Sequence, residues 1–185
     1  MSRLLSKIWA QKDNEPVNGL YPTTQRRDGL EEHGHIIALL ILVVSFFFYL
    51  YNIEGWLING DEGNCMYAAW RLSEGEIPYN DFLSAKAPIF LYIGALMIKV
   101  FGASALALRS STTAITLLAG FFIYLGAKEA LNHRVALLSM LLFLLHRDVY
   151  LNGRVFRSDL YMLLFSVIGL YFTIIAHSRR WDGYL

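Results

Sequence analysis

Five apolar runs, with the charged residues pushed to their ends, limit what this chain can fold into: residues 36–52, 88–101, 108–127, 135–151 and 160–177. A helix that crosses a bilayer needs ~20 mostly apolar residues, whereas a run of ~10–14 suits an interfacial or buried helix. Only 17% of the 185 residues are charged and 56% are hydrophobic, against about a quarter charged in an ordinary soluble domain. The pattern predicts an all-α fold, a polytopic membrane helical bundle. A net charge of +1 without a basic block gives no nucleic-acid footprint. A single cysteine, Cys65, excludes an internal disulfide and a cysteine-only metal site, and reads as small apolar packing.

Segment 88–101 stops at Gly102 and carries Lys99, so it is expected to lie on the membrane surface without crossing. Four spans then remain: 36–52, 108–127, 135–151 and 160–177. This count places Lys128, His133 and Arg134 on the same side as the basic N-terminus and as Arg179 and Arg180, as the positive-inside rule requires. Residues 1–35 read as a cytoplasmic tail and 179–185 as a cytoplasmic end. The first apolar run begins too far from Met1 for a secretory signal and has no small-residue cleavage site after it. Residues 53–107 form an extracytoplasmic loop with two surface-lying helices, 61–74 and 88–101. Gly75 and Pro78 end the first, and Pro88 opens the second. Asn59 and Asp61 suit a helix start, and Trp56, Trp70, Tyr67, Tyr79 and Tyr92 suit the headgroup layer.

The same topology brings Asp61 and Asp159 to one face of the membrane. Asp61 and Glu62 are neighbours, so on a helix their side chains diverge by roughly 100° and do not form a proton-sharing dyad. Partial desolvation at the membrane boundary would raise a carboxyl pKa and suit a general base; equally, both acids suit the first turn of a helix through the macrodipole. A second polar run, His146-Arg147-Asp148 followed by Asn152 to Asp159, contains Arg154 and Arg157. Two readings stand for it: a phosphate site, since arginine binds phosphate in a bidentate fork, or an arginine–aspartate set snorkelling at the end of a span. Lys86 is placed to pair with Asp61 or Glu62, or to meet a phosphate. His146 reads as a hydrogen-bonded structural residue and not as a metal ligand.

Taken together, Asp61-Glu62-Gly63, Tyr67-Ala68-Ala69, Gly75, Pro78-Tyr79 with Asp81, Lys86-Ala87-Pro88, Lys99-Val100-Phe101-Gly102 and Arg109 resemble the opening of membrane glycosyltransferases with the GT-C fold. The likeness is to the group that includes protein O-mannosyltransferases and lipid A aminoarabinose transferases, over about residues 36–178. Gly153-Arg154 through Asp159 resembles that family's second acidic motif. The resemblance implies an inverting transfer from a polyprenyl-phosphate-linked sugar to a glycan, lipid or protein acceptor outside the cytoplasm. It implies Asp61 as general base, with Glu62 and Asp159 orienting the acceptor or tuning Asp61. Lys86, Arg154 and Arg157 would stabilise the departing phosphate, with Tyr67 and Tyr79 as further substrate-binding residues. No metal is expected; were one used, an Asp61–Asp159 pair would suit Mg²⁺ or Mn²⁺ better than zinc. Ala87 stands where the family's Lys-Pro-Pro motif has its first proline. The chain also has fewer spans than such enzymes, so it reads as the N-terminal part of a longer one. A different class remains open: a non-catalytic four-span assembly partner or carrier component.

Overall fold

The computed structural model of the chain describes residues 29–55 and 60–182 and, within these, the side chains of 33–178. Trp56, Asn59 and most of the expected N-terminal tail lie outside the described residues. The described backbone forms seven helices: α1 Gly29–Leu50, α2 Gly60–Ser73, α3 Pro88–Phe101, α4 Ala105–Ala130, α5 His133–Leu145, α6 Arg147–Asn152 and α7 Asp159–Asp182. Among these residues the only extended pairing is an isolated bridge between Pro78 and Phe82. Three helices are long and apolar enough to cross a membrane: His33–Leu50, Ala105–Ala130 and Asp159–Ser178. The chain is therefore an all-α membrane helical bundle.

Side-chain contacts fix the direction of each helix. At one end of the bundle His35 lies 2.9 Å from the Lys128 ammonium and 3.2 Å from the Tyr124 hydroxyl. At the other end the Tyr49 hydroxyl donates to the Leu144 carbonyl (2.8 Å), and the Ile53 carbonyl accepts from Arg109 (2.7 Å). So α1 runs antiparallel to α4 and alongside α5. Ser111 meets the Tyr161 hydroxyl at 2.9 Å, and Ser178 donates to Glu129 at 3.5 Å. Helices α4 and α7 therefore run in the same direction, and α5 must carry the chain back along the bundle between them. Helix α4 is the centre of the bundle. Its Thr112, Thr113, Thr116 and Ala119 are fully buried, and Thr116 satisfies its hydroxyl on the Thr112 carbonyl of its own helix (2.8 Å).

The segment expected as one helix over 135–151 is broken. Helix α5 stops at Leu145, His146 is extended (φ −62°, ψ 129°), and α6 starts afresh at Arg147 with Asp148 in its first turn. The polar triplet His146-Arg147-Asp148 is the cause: Asp148 is stabilised at a new helix start, and Tyr49 satisfies the carbonyl that the break releases. Gly153 follows because a Cβ there would lie 2.8 Å from each of Thr116 Oγ1, Tyr49 Cε1 and the Val149 carbonyl. At the N-terminal side α1 begins at Gly29, inside the expected tail, since helix hydrogen bonds continue through polar residues as readily as apolar ones.

Helices α2 and α3 sit together at the Asp61 end, where the chain both leaves α1 and enters α4. Their shared core is Cys65, Ala68, Ala69 and Leu72 from α2 with Phe90, Leu91, Ala95 and Ile98 from α3, closed by Leu108, Phe156 and Tyr161. Phe90 stacks on Phe156 with ring centroids 4.5 Å apart. Each fully buried side chain of this size contributes about 1.5–3 kcal/mol. Pro88 occupies the first turn of α3, and Ala87 before it has φ −60° and ψ 139°. Those are angles a proline would take, so the departure from Lys-Pro-Pro leaves the backbone course unchanged. Gly75 (φ 101°) and Gly102 (φ 84°) end α2 and α3 in the left-handed region that favours glycine.

Helix α3 packs tightly on its neighbours at Gly94, where a Cβ would meet Phe156 Cζ at 2.6 Å and Ala69 Cβ at 2.9 Å. Gly94→Val is expected to cost about 1–3 kcal/mol of stability through overpacking, measured by thermal unfolding in detergent. Gly169→Val, at a glycine with open space around it, serves as the control and should unfold near the wild-type temperature.

Candidate functional site

Adjacent acids on α2 enter opposite environments. Glu62 is fully buried. Its carboxylate takes two parallel bonds from the Arg109 guanidinium, Nε to Oε1 and Nη2 to Oε2, both 2.8 Å. The Phe156 backbone N–H adds a third at 3.0 Å. Arg109 also reaches the Ile53 carbonyl. Glu62 therefore joins α2, the start of α4, the end of α1 and the segment before α7. It was expected to orient the acceptor or tune Asp61 from within the site. The structure instead places it beneath the site, where it holds the surrounding segments together.

Asp61 turns the other way and meets two cations. Its Oδ1 lies 2.8 Å from Lys86 Nζ and its Oδ2 lies 2.9 Å from Arg157 Nε. The second contact is a close charge pair without hydrogen-bond alignment. Arg157 continues to Asn152 Oδ1 (3.2 Å) and Asp159 Oδ2 (3.4 Å). The group is open to solvent: the side chains of Asp61, Lys86, Arg157 and Asp159 are 40%, 23%, 32% and 55% exposed. The hydrogen bond from Lys86 is the largest of the influences that hold the Asp61 carboxyl below its ordinary value of 3.8, with the Arg157 charge adding to it against partial burial. The same bond raises the Lys86 ammonium above its usual range. The sequence expectation of a raised carboxyl is thus reversed, because paired cations outweigh desolvation here.

The other candidate residues sort between site and scaffold. Arg154 is buried and turned away: Nη1 donates to the Tyr150 hydroxyl (2.5 Å), Nη2 to the Tyr51 carbonyl, and the guanidinium lies over the Tyr150 ring at 5.0 Å. It braces α6 against the end of α1, and the expected pairing with Arg157 at one phosphate is not formed. The split follows from the break after Asn152, which removes the continuous helix that would have aligned the two arginines. Tyr79 donates its hydroxyl to the Lys86 carbonyl and so steadies that residue's backbone. Tyr67 is exposed beside Trp70, with Arg71 at 5.8 Å from its ring centroid. Asp81 braces the turn after α2 by accepting from the Ile77 N–H at 2.7 Å. Cys65 lies in the core under the site, its thiol pushed up to about 11 by burial, which suits packing and not nucleophilic chemistry.

The sequence reading gave no role to Arg109, although a charged residue at the start of an apolar span signals a buried partner. Among the described residues no three histidine, cysteine or acidic side chains come together as metal ligands. Arg157 stands between Asp61 and Asp159, where a shared cation would otherwise have to sit.

Residues 85–185, more than half of the chain, match the family described as dolichyl-phosphate-mannose-protein mannosyltransferase. The chain is also 26% identical over 153 residues to an uncharacterized protein of Aquifex aeolicus (strain VF5), a match that takes in 78% of this chain and 36% of the relative. It thus spans about a third of the length of the curated relative it matches. No solved structure matches the chain.

Removing one side of the buried pair leaves an uncompensated charge. Glu62→Gln and Arg109→Met should each cost about 3–5 kcal/mol, read from denaturant unfolding in micelles. The double variant Glu62→Leu/Arg109→Met should cost clearly less than their sum. Single variants within about 0.5 kcal/mol of wild type, the range of ordinary surface substitutions, would show that the pair does not hold the segments.

Proposed function

Because the chain belongs to the dolichyl-phosphate-mannose-protein mannosyltransferase family, we propose that its Asp61 end forms part of the site of an inverting sugar transfer from a polyprenyl-phosphate donor to an extracytoplasmic acceptor. The observation that carries this reading is Asp61 held between Lys86 and Arg157 at the end of three membrane-length helices. Such a place is reachable at once by a lipid-borne phosphate and by a polar acceptor.

In this reading Asp61 removes the proton of the acceptor hydroxyl, and the acceptor oxygen bonds to the anomeric carbon of the sugar. The bond from that carbon to the phosphate oxygen breaks, and its electron pair goes to the polyprenyl phosphate. Charge develops on the phosphate oxygens, where Lys86 and Arg157 act as electrostatic stabilisers; the planar fork of Arg157 suits two of those oxygens. The leaving group is a stable anion and requires no acid. Asp159, on the other arm of Arg157, orients that guanidinium. Glu62 and Arg154 act as positioning residues and touch neither donor nor acceptor. Tyr79 steadies Lys86, and Tyr67 with Trp70 settles α2 at the headgroup layer. No metal enters the scheme.

The same reading gives four crossings. Helices α4 and α7 run in parallel, so the chain between them must cross as well. Residues 133–152 would span about 30 Å as one straight helix; α5 and α6 cover that stretch with a break at His146. Lys128, His133 and Arg134 then face the cytoplasm with the N-terminus, and α2 and α3 lie outside.

Asp61→Asn should lower sugar transfer in membranes containing the protein by at least a hundredfold while leaving insertion unchanged, since the amide keeps the shape but accepts no proton. Arg157→Ala should lower use of the donor about ten- to hundredfold, from the loss of a charge-assisted bond, with partial rescue by lysine. Arg154→Ala should act through stability. Near-wild-type turnover in Asp61→Asn would remove it from the base role.

Topology is checked by cysteine labelling in a Cys65→Ala background. Leu83 is 95% exposed and Leu131 67% exposed, at opposite ends of the bundle. An impermeant reagent should reach Leu83→Cys from outside and leave Leu131→Cys unlabelled. The reverse pattern would overturn the orientation.

A further inference from the structure

We propose that Lys86 and Arg157 are exchange partners, neutralising Asp61 in the resting site and moving onto the phosphate of an arriving donor, so that the carboxylate works as a base only while the donor is bound. This rests on the donor reading above and adds to it a control on when the base is active.

Each oxygen of Asp61 lies against a cation in the resting geometry, Oδ1 against Lys86 and Oδ2 against Arg157, so the carboxylate is a weaker base toward an acceptor hydroxyl until one cation withdraws. The charged groups facing Asp61 come from three directions. Lys86 stands before α3, Arg157 and Asp159 stand at the entry to α7, and Glu62 on its own helix is committed to Arg109. Cys65, one turn along α2, is protonated, its thiol pushed up to about 11. Two acids and two bases leave the exposed group neutral. A donor phosphodiester brings one more negative charge, and that charge grows as the bond to the sugar breaks. Arg157 is the partner that yields first. Its contact with Asp61 lacks hydrogen-bond alignment, and its contacts to Asn152 and Asp159 are long, at 3.2 and 3.4 Å. A bidentate bond to phosphate is stronger than any of these. Donor binding therefore both recruits the stabilising cations and strengthens the base. Without a donor the site does not activate water.

The direction of the pH effect follows. The cations favour the charged form of Asp61, so its pKa is depressed at rest, and their withdrawal must raise it. The test is a pH titration of the Asp61 carboxylate by difference infrared spectroscopy on the protein in micelles. The band is assigned by its loss in Asp61→Asn, with and without a saturating short polyprenyl monophosphate whose binding is followed separately. The midpoint should rise by about 1–3 units with the ligand, the effect of removing an opposite charge at this range. Arg157→Gln should already titrate higher without ligand and shift less with it. Inorganic phosphate in place of the lipid shows whether the headgroup alone suffices, and a rise with either anion supports the exchange. Binding with an unmoved midpoint overturns the exchange and leaves the donor reading standing. Failure of the polyprenyl phosphate to bind overturns both.

Discussion

Everything at the Asp61 end depends on one buried ion pair. A carboxylate taken out of water is tolerated only when its oxygens are satisfied, and Glu62 meets that demand with the Arg109 fork and the Phe156 N–H. In a buried, mostly apolar surrounding that demand is stiff. It fixes α2 against the start of α4 and fixes the strand of chain that leads to Arg157. Asp61 is one residue from Glu62, and Arg157 one residue from Phe156. The position of each exposed charge is inherited from its buried neighbour.

The electrostatics divide along the same line. Inside, the Glu62–Arg109 pair is a structural commitment whose energy is spent on geometry, as buried ion pairs commonly are. Outside, the Asp61, Lys86, Arg157 and Asp159 side chains are partly solvated, 23–55% exposed, where ion pairs contribute less than in the interior. The proposed handling of a donor phosphate calls for both: a buried frame and solvated charges beside it. The two arginines before α7 show the same division. Arg154 is tied into the frame by Tyr150 and Tyr51, whereas Arg157 stays at the surface.

Helix α3 illustrates how surface and core are shared in this region. One face, with Phe90, Leu91, Gly94, Ala95 and Ile98, closes on α2 and Phe156, while Ile89, Tyr92, Leu96, Val100 and Phe101 remain exposed. A helix apolar on both faces and lying at the end of a bundle is suited to the boundary between protein and lipid. The bundle below it keeps its own, separate core around Tyr124, Met140 and Leu144.

The sequence by itself determined most of the helices, because hydrophobic run length, proline and glycine act locally. Pro88, Gly75 and Gly102 mark boundaries found in the structure, and the apolar runs around α1, α4 and α7 are the membrane-length helices. It also brought Asp61, Lys86, Arg157 and Asp159 into view as polar groups that a membrane chain does not keep without reason. Which acid faces inward, and which arginine, was decided only by tertiary structure. Adjacent residues on a helix differ by a rotation that sequence does not orient, and the orientation came from Arg109 reaching Glu62 across 47 positions of chain. The break at His146 was decided in the same way. A polar triplet can end a span or interrupt it, and here the Tyr49 hydroxyl, 95 positions away from Leu144, satisfies the carbonyl that makes interruption tolerable.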